Sequence, residues 1–396
     1  MQDRSAVGVF LIFLRLGLTS FGGPVAHLGY FRDAFIHRRK WLTERSYADL
    51  VALCQFLPGP ISSQVGIALG LSRAGFGGAM GAWLGFTLPS AVALILFALG
   101  IARYGDLLPA GALHGLKVAA VAVVAQAVWG MATTLCTDRI RVTLMTLAAC
   151  FVLWVPTAWG QVGVILMSGI LGAALFKPVQ MTDHDAMPLT VSRKTGLMVL
   201  CLFFTLLVGL PVGTKMISYR PLELMDAFFR SGALVFGGGH VMLPLLQVEV
   251  VPTGWVSNAA FMAGYGATQA VPGPLFTFSA FLGASMTGEP TGWTGAFLCL
   301  SAIFLPSFLL VVGALPFWEQ IRRNAMMQTA LSGINAGVVG ILLAALFTPV
   351  WTSAIVTPQD FGLGLAAFIA LRFWNLPPWL VVVVTGVAGG LMGKMS

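Results

Sequence analysis

A chain of 396 residues in which 58% are hydrophobic and only 9% charged lies far below the roughly 25% charge of soluble domains, and it reads as a polytopic membrane protein. Its 22 Lys and Arg against 14 Asp and Glu reflect in part the basic bias of cytoplasmic membrane loops and in part suit an anionic solute. No basic run is long enough for a nucleic-acid stripe. The five cysteines (Cys54, Cys136, Cys150, Cys201, Cys299) show no C-x-x-C spacing, so metal and redox chemistry are set aside and no cofactor is expected.

Residues 6–22 are apolar except for Arg15, and the pattern predicts a helix up to Gly22. The knot Phe21-Gly22-Gly23-Pro24 interrupts it. A second limb, 25–31, leads into a loop at 32–45 with five Lys or Arg, the strongest cytoplasmic marker in the chain. Neither limb reaches the ~20 residues of a full span, so the pair reads as a re-entrant hairpin. It is also read as a retained first element, not a cleaved signal.

Residues 47–57 form another short limb, stopped by Pro58-Gly59-Pro60 and followed by Ser62, Ser63, Gln64 and an apolar limb to about Leu71, a second hairpin candidate with a polar cluster at its tip. Spans are expected at 77–102, 112–135, 142–155 and 158–175. A polar linker at 177–194 and one crossing at 195–211 follow.

Then the pattern restarts. Phe228-Phe229-Arg230-Ser231-Gly232 mirrors Phe13-Leu14-Arg15-Leu16-Gly17, and Phe236-Gly237-Gly238-Gly239 mirrors the first knot. Gln269-Ala270-Val271-Pro272-Gly273-Pro274 mirrors Gln55-Phe56-Leu57-Pro58-Gly59-Pro60, and Pro306-Ser307 mirrors Pro89-Ser90. The chain is therefore an internal duplication: first repeat 1–176, linker 177–194, connecting helix 195–211, second repeat 212–396. The basic loops swap places between the repeats. Loop 32–45 is basic where 247–258 is not, and Arg322 and Arg323 stand where the first repeat has Arg103 beside Asp106. That pattern predicts inverted topology, with the N-terminus cytoplasmic and the C-terminus periplasmic. The expected fold is all-α, with two inverted repeats, broken or re-entrant helices and about thirteen membrane elements. Inverted repeats with broken helices place a transporter's binding site near the midplane.

The candidate site residues follow from the breaks. Arg15 and Arg230 are intramembrane cations, each costing roughly 2.5–3.5 kcal/mol to insert, and a guanidinium suits a tetrahedral oxyanion; alternatively they snorkel or pair with carboxylates. The glycine knots, with Phe21, Pro24 and Phe236 beside them, let backbone approach a ligand, or merely let helices pack. Around the Pro-Gly-Pro turns, Gln55, Ser62, Ser63, Gln64, Gln269, Thr277 and Ser279 supply neutral donors, or satisfy their own backbone. His27, His240 and Glu249 are candidates for carrying a coupling proton, with a satisfied histidine or a solvated loop acid as the alternatives. Lys117 and Asn335 lie in matching helices. No Walker, H-E-x-x-H or G-x-S-x-G pattern is present, and no enzymatic activity is expected.

These motifs resemble the chromate ion transporter family, in its long two-domain form. The resemblance is carried by Phe21-Gly22-Gly23-Pro24 with Ala26-His27, Arg39-Lys40-Trp41-Leu42, Gln55 to Pro60 and Gly85-Phe86-Thr87-Leu88-Pro89-Ser90. In the second repeat it is carried by Phe236 to His240, Leu243-Pro244-Leu245-Leu246 and Gln269 to Phe276. It implies an inner-membrane secondary transporter that exports chromate, driven by the proton gradient, with the Gly-Gly-Pro and Pro-Gly-Pro stretches as its functional regions. Sulfate or another oxyanion is the competing substrate, and a passive anion channel the competing class. The expected partners are a chromate- or sulfate-like oxyanion, membrane lipid and a second copy in a homodimer. The chain departs from its own symmetry in having Gly239 where the first repeat has Pro24, so unlike half-sites are expected.

Overall fold

The computed structural model describes residues 4–104, 110–177 and 191–392, and every regular element among them is helical. The first repeat contains α1 (Ala6–Thr19), α2 (Gly23–Arg32), α3 (Glu44–Phe56), α4 (Ile61–Tyr104), α5 (Ala110–Leu135), α6 (Arg139–Trp154) and α7 (Ala158–Leu175). The connecting helix is α8 (Arg193–Met216). The second repeat contains α9 (Arg220–Ala233), α10 (Met242–Val250), α11 (Asn258–Thr268), α12 (Phe278–Ala284), α13 (Gly292–Ala314), α14 (Trp318–Arg323), α15 (Ala325–Ala345), the single turn α16 (Thr352–Ala354), α17 (Pro358–Arg372) and α18 (Pro378–Met392). Most of the polar linker expected at 177–194 lies outside the described residues.

The first expected hairpin of each repeat doubles back at its break. Helix α1 ends at Thr19, three residues before the expected Gly22, because Ser20 turns extended. Gly22 and Gly23 then take φ of +102° and +77°, a region that costs an ordinary residue about 1–2 kcal/mol. Pro24 follows in the first turn of α2, where its missing N–H leaves no bond unmade. The chain doubles back: the Phe13 ring of α1 meets Phe31 at 5.5 Å and Phe35 at 5.1 Å. In the second repeat the break falls after Ala233, with Gly237 and Gly238 at φ of +75° and +148°, and α10 returns along α9.

Helix α4 is two limbs rather than one span. Ala74 and Gly75 leave helical geometry, and Gly70 packs directly on the Gly78 backbone across the turn. The same device recurs where Gly283 meets Gly295, between α12 and α13. Arg73 stacks on Trp41 at 4.8 Å, so this turn and loop 32–45 share one side. In that loop Arg32 pairs with Glu44 at 2.9 Å and holds its carboxyl below the usual carboxylate range.

Six helices among the described residues are long and apolar enough to cross a membrane: α4, α5, α7, α8, and α13 and α15 with their extensions. The other expected spans fall on shorter helices. Helices α6, α17 and α18 have 16, 15 and 15 residues; Pro156 follows the end of α6, and Pro377 and Pro378 separate α17 from α18. The second limb of α4 and α13 run antiparallel. Trp83, early in that limb, meets Phe304 and Phe308 late in α13, whereas Phe97, late in the limb, meets Phe281 just ahead of α13.

The repeats are interleaved, not side by side. Helix α5 of the first repeat lies on α18, with Gly115 against the Thr385 carbonyl and Gly389 against that of Gly111. Helix α15 of the second lies on α7, with Gly333 against the Ser168 carbonyl. Motion of one whole repeat against the other, an attractive expectation for two halves, would break both seams. A Gly333→Val substitution places Cβ inside the α7 backbone, where Gly172 Cα is 2.7 Å away. Overpacking of this kind costs about 1–3 kcal/mol, and the expected result is a lower melting temperature of the detergent-solubilised protein.

Candidate functional site

The two Pro-Gly-Pro turns and the two helix breaks are stitched together crosswise. Gly59 N–H, in the first repeat, donates to the Val235 carbonyl at the second break (2.7 Å). Gly273 N–H, in the second, donates to the Ser20 carbonyl at the first break (3.0 Å). Both donors need glycine. Gly59 and Gly273 have φ of +128° and +97°. A Cβ on Gly59 would lie 2.6 Å from Gln64 Nε2 and 2.8 Å from Ser307 Oγ, and one on Gly273 would lie 2.8 Å from Ser90 Oγ. Ser90 and Ser307 are the residues after the matched helical prolines, so each turn is closed by the other repeat's Pro-Ser.

His27 ties the crossing together. It is fully buried. Its Nε2 faces the Ser20 carbonyl at 3.2 Å and its Nδ1 faces Ser62 Oγ at 3.3 Å. A carbonyl only accepts, so Nε2 carries the proton, and in the neutral ring Nδ1 accepts from the Ser62 hydroxyl. The Ser20 carbonyl therefore holds Gly273 of one turn and, through His27, Ser62 beside the other. His240 is placed differently, with Nδ1 2.7 Å from the buried Tyr265 hydroxyl. The expected inequality of the half-sites extends to their histidines.

Several buried polar atoms around this crossing have no partner: Ser20 Oγ, Ser63 Oγ, Gln64 Oε1, Thr87 Oγ1, Gln269 Nε2 and Ser307 Oγ. Gln64 gives its amide N–H to the Pro58 carbonyl at 2.7 Å, which leaves its oxygen exposed to whatever fills the space. Each such atom costs about 1–3 kcal/mol unless something meets it. These six atoms belong to the segments that form or flank the crossing, which makes it the candidate place for a polar solute. There is space beside both breaks: a Cβ on Gly23 or Gly238 would meet nothing within 4 Å.

Other candidates are placed elsewhere. The glycine runs do not pack on each other. Gly22 has only Ala26 of its own helix nearby, with Phe21 against Trp379, and Gly237 faces Met131 and Asn335, the latter with an unpartnered Oδ1. Gly239 abuts Leu275, and Phe236 is half-buried beside it. Gln55 is exposed although its sequence partner Gln269 is buried, so that match does not hold in space. Thr277 and Ser279 give their hydroxyl protons to the Pro274 and Phe276 carbonyls and are turn caps, not free donors.

The arginines diverge most. Arg15 is exposed on the same stripe of α1 as Val7, Leu11 and Leu18. Arg230 is committed: Nη1 lies 2.5 Å from Glu249 Oε1 and Nη2 2.9 Å from Asp226 Oδ2. The guanidinium expected to meet an anion is held in this structure by these two carboxylates, and Glu249, with solvation in a loop as the alternative reading, lies in α10 with a side chain only 16% exposed. The matched position of Asp226 in the first repeat is Leu11, and that of Glu249 is Ala34, so Arg15 has no such partners. Ser20, Ser90, Ser307, Asp226 and Tyr265 were not singled out from sequence as site residues. Only the Pro-Ser pairs carried a signal, as markers of the duplication.

A helical, polytopic membrane protein whose two Pro-Gly-Pro turns and two helix breaks cross is thereby defined. The sequence pattern of the chromate transporter family matches residues 7–173 and again residues 222–390, and the chain belongs to that family. It is 27% identical over 394 residues to a probable chromate transport protein of Synechococcus elongatus, covering 95% of this chain and 93% of that one. It is 28% identical to the chromate transport protein of Pseudomonas aeruginosa (97% and 91% covered) and 24% identical to that of Cupriavidus metallidurans (96% and 91%). No solved structure matches the chain.

Proposed function

We propose that the protein is a secondary transporter that moves chromate outward across the cell's inner membrane in a proton-coupled cycle. The observation that carries this reading is the crosswise pair of hydrogen bonds between each Pro-Gly-Pro turn and the opposite helix break, ringed by unpartnered neutral polar atoms. The names of the full-length relatives supply chromate as the solute. The antiparallel course of the second limb of α4 and of α13, with the swapped basic loops, supports inverted repeats with the N-terminus cytoplasmic and the C-terminus periplasmic. The division into repeats 1–176 and 212–396 with a connecting crossing fits the doubled family match.

The substrate-binding set is then Gly22, Gly23, Ser63, Gln64, Gly238, Gln269 and Ser307, with Pro58 to Pro60, Pro272 to Pro274, Ser62 and His27 holding the geometry. Arg15 draws the anion toward the first break from its exposed stripe. Both half-sites lie within one chain, so a homodimer is not needed to complete the site. Gate-like motion of the hairpins gives alternating access.

Everted vesicles test the reading. Labelled chromate should accumulate when an interior-positive proton-motive force is imposed, and excess sulfate should reduce it if the site accepts tetrahedral oxyanions in general. Gln269→Leu should weaken uptake at least tenfold, since one hydrogen bond to a charged group contributes about 1.5–3 kcal/mol. Absence of chromate accumulation under every gradient would remove the substrate assignment. Flux that neither saturates nor responds to the gradient would point to a channel.

A further inference from the structure

The cluster around Arg230 carries an unbalanced charge. One guanidinium faces two carboxylates, Asp226 on its own helix and Glu249 on the returning limb, so with all three ionised the sum is +1 − 2 = −1. The three side chains are only 10–16% exposed. Trp159 of α7 closes over the guanidinium at 5.8 Å, and Arg230 Nε is buried without a partner. No neighbouring element balances the charge. Among the described residues, helices α7 and α15 have no titratable side chain, α10 has none besides Glu249, α13 has only the buried Cys299, and the turn Gly239–Val241 before α10 carries His240, whose Nδ1 is engaged with the Tyr265 hydroxyl. The cations of α8, Arg193, Lys194 and Lys215, sit in its end turns. Glu223 lies in the first turn of α9, and Arg220 at its start turns to the Thr287 carbonyl.

A buried surplus charge is costly, and a protein removes it by taking up a proton or a counter-ion. Glu249 is the group suited to change state. Asp226 is fixed on Arg230's own helix at i−4, whereas Glu249 approaches from the separate limb and takes up both Nη1 and, at 3.4 Å, Nη2. Arg230 lies one helical turn before the break whose Val235 carbonyl holds Gly59. Freed from Glu249, its guanidinium is the nearest cation of α9 to the crossing.

Resting on the transport reading above, we infer that Glu249 binds the coupling proton and that its carboxylate and the oxyanion compete for Arg230, so that proton and oxyanion bind together. The proton goes from water to the Glu249 carboxylate. The neutral acid releases Arg230 Nη1, Asp226 keeps Nη2, and the freed edge faces the anion. Leu11 and Ala34 occupy the matched positions in the first repeat, so there is one such site per chain. A dianion leaving with one proton carries one net negative charge outward; the inside-negative membrane potential drives that movement and an outside-acid pH gradient opposes it, so the potential is the driving force.

The test compares chromate affinity of the purified full-length protein, wild type against Glu249→Gln and Asp226→Asn, from about pH 5 to 8. Chromate's own protonation is common to all three proteins, so the ratio of variant to wild-type Kd isolates the protein's proton. By linkage the ratio for Glu249→Gln should change by up to about tenfold per pH unit, and wild type should take up a proton on binding that this variant does not. Asp226→Asn removes the surplus charge and should shift the dependence to lower pH; it also serves if Glu249→Gln folds poorly. In proteoliposomes Glu249→Gln should exchange chromate for chromate yet ignore an imposed pH gradient. Ratios flat with pH and equal proton uptake in all three proteins would overturn the inference while leaving chromate transport standing. Wild type that binds no chromate at any pH would overturn both.

Discussion

Gly273→Ala should abolish chromate uptake, and Gly59→Ala should do the same from the other side of the crossing. At φ of +97° an alanine costs about 1–2 kcal/mol in backbone strain. Its Cβ would also sit 2.8 Å from Ser90 Oγ and 3.2 Å from the Phe86 carbonyl. The hydroxyl can rotate away; the carbonyl belongs to α4 and cannot. The turn must therefore move, and moving it takes the Gly273 N–H off the Ser20 carbonyl, leaving a buried donor unmet at a further cost of about 1–3 kcal/mol. The sum corresponds to a loss of well over tenfold in the population of the intact site. Two controls separate this effect from general damage. Gly75→Ala has a positive φ but nothing within 4 Å of its Cβ and should keep uptake. Ser90→Ala combined with Gly273→Ala should regain only the part of the loss due to the hydroxyl. Uptake by Gly273→Ala at wild-type rates would mean the crossing is not part of the solute path.

Arg230→Gln should be the most damaging single change to folding. Removing one partner from a buried ion pair costs about 3–5 kcal/mol because the remaining charge stays buried, and here two carboxylates lose their common cation. The expected outcome is a steep loss of folded protein, read by yield and by thermal unfolding in detergent. Arg230→Gln with Asp226→Asn and Glu249→Gln replaces the cluster by amides and should restore the melting temperature without restoring uptake. Arg15→Gln, which unpairs nothing, should leave stability within about 0.5 kcal/mol, as for other exposed changes. Loss of transport in Arg230→Gln alone thus says nothing about anion contact; the triple variant carries that information. A single variant as stable as wild type would refute the ion-pair account.

The membrane class, the duplication and the positions of both breaks were legible in the sequence because each rests on local chemistry. Low charge, repeated Phe-Gly-Gly and Pro-Gly-Pro runs and short apolar limbs act within a few residues of where they are read. What was not legible depends on partners far along the chain. Arg15 and Arg230 look alike in sequence, and only the fold shows that Asp226 and Glu249 claim one and leave the other. Gln55 and Gln269 occupy matched positions in matched motifs, yet one faces outward and the other inward. The pairing of each turn with the opposite break could not be read from spacing, because the bonds join residues 176 and 253 positions apart (59 to 235, 20 to 273).

The seam between α5 and α18 has a consequence for how the chain is made. Helix α5 leaves the ribosome well before α18, and its glycine face, at Gly111 and Gly115, is shaped to lie against Thr385 and Gly389, which are made long after it. Until α18 arrives, that face has no protein surface to meet and must wait in lipid or be shielded. Assembly of the first repeat is therefore completed by the end of the second. A nascent chain that stalls before residue 378 leaves an unfinished bundle rather than half a transporter, and nonlocal closure of this kind belongs among the slow steps of folding.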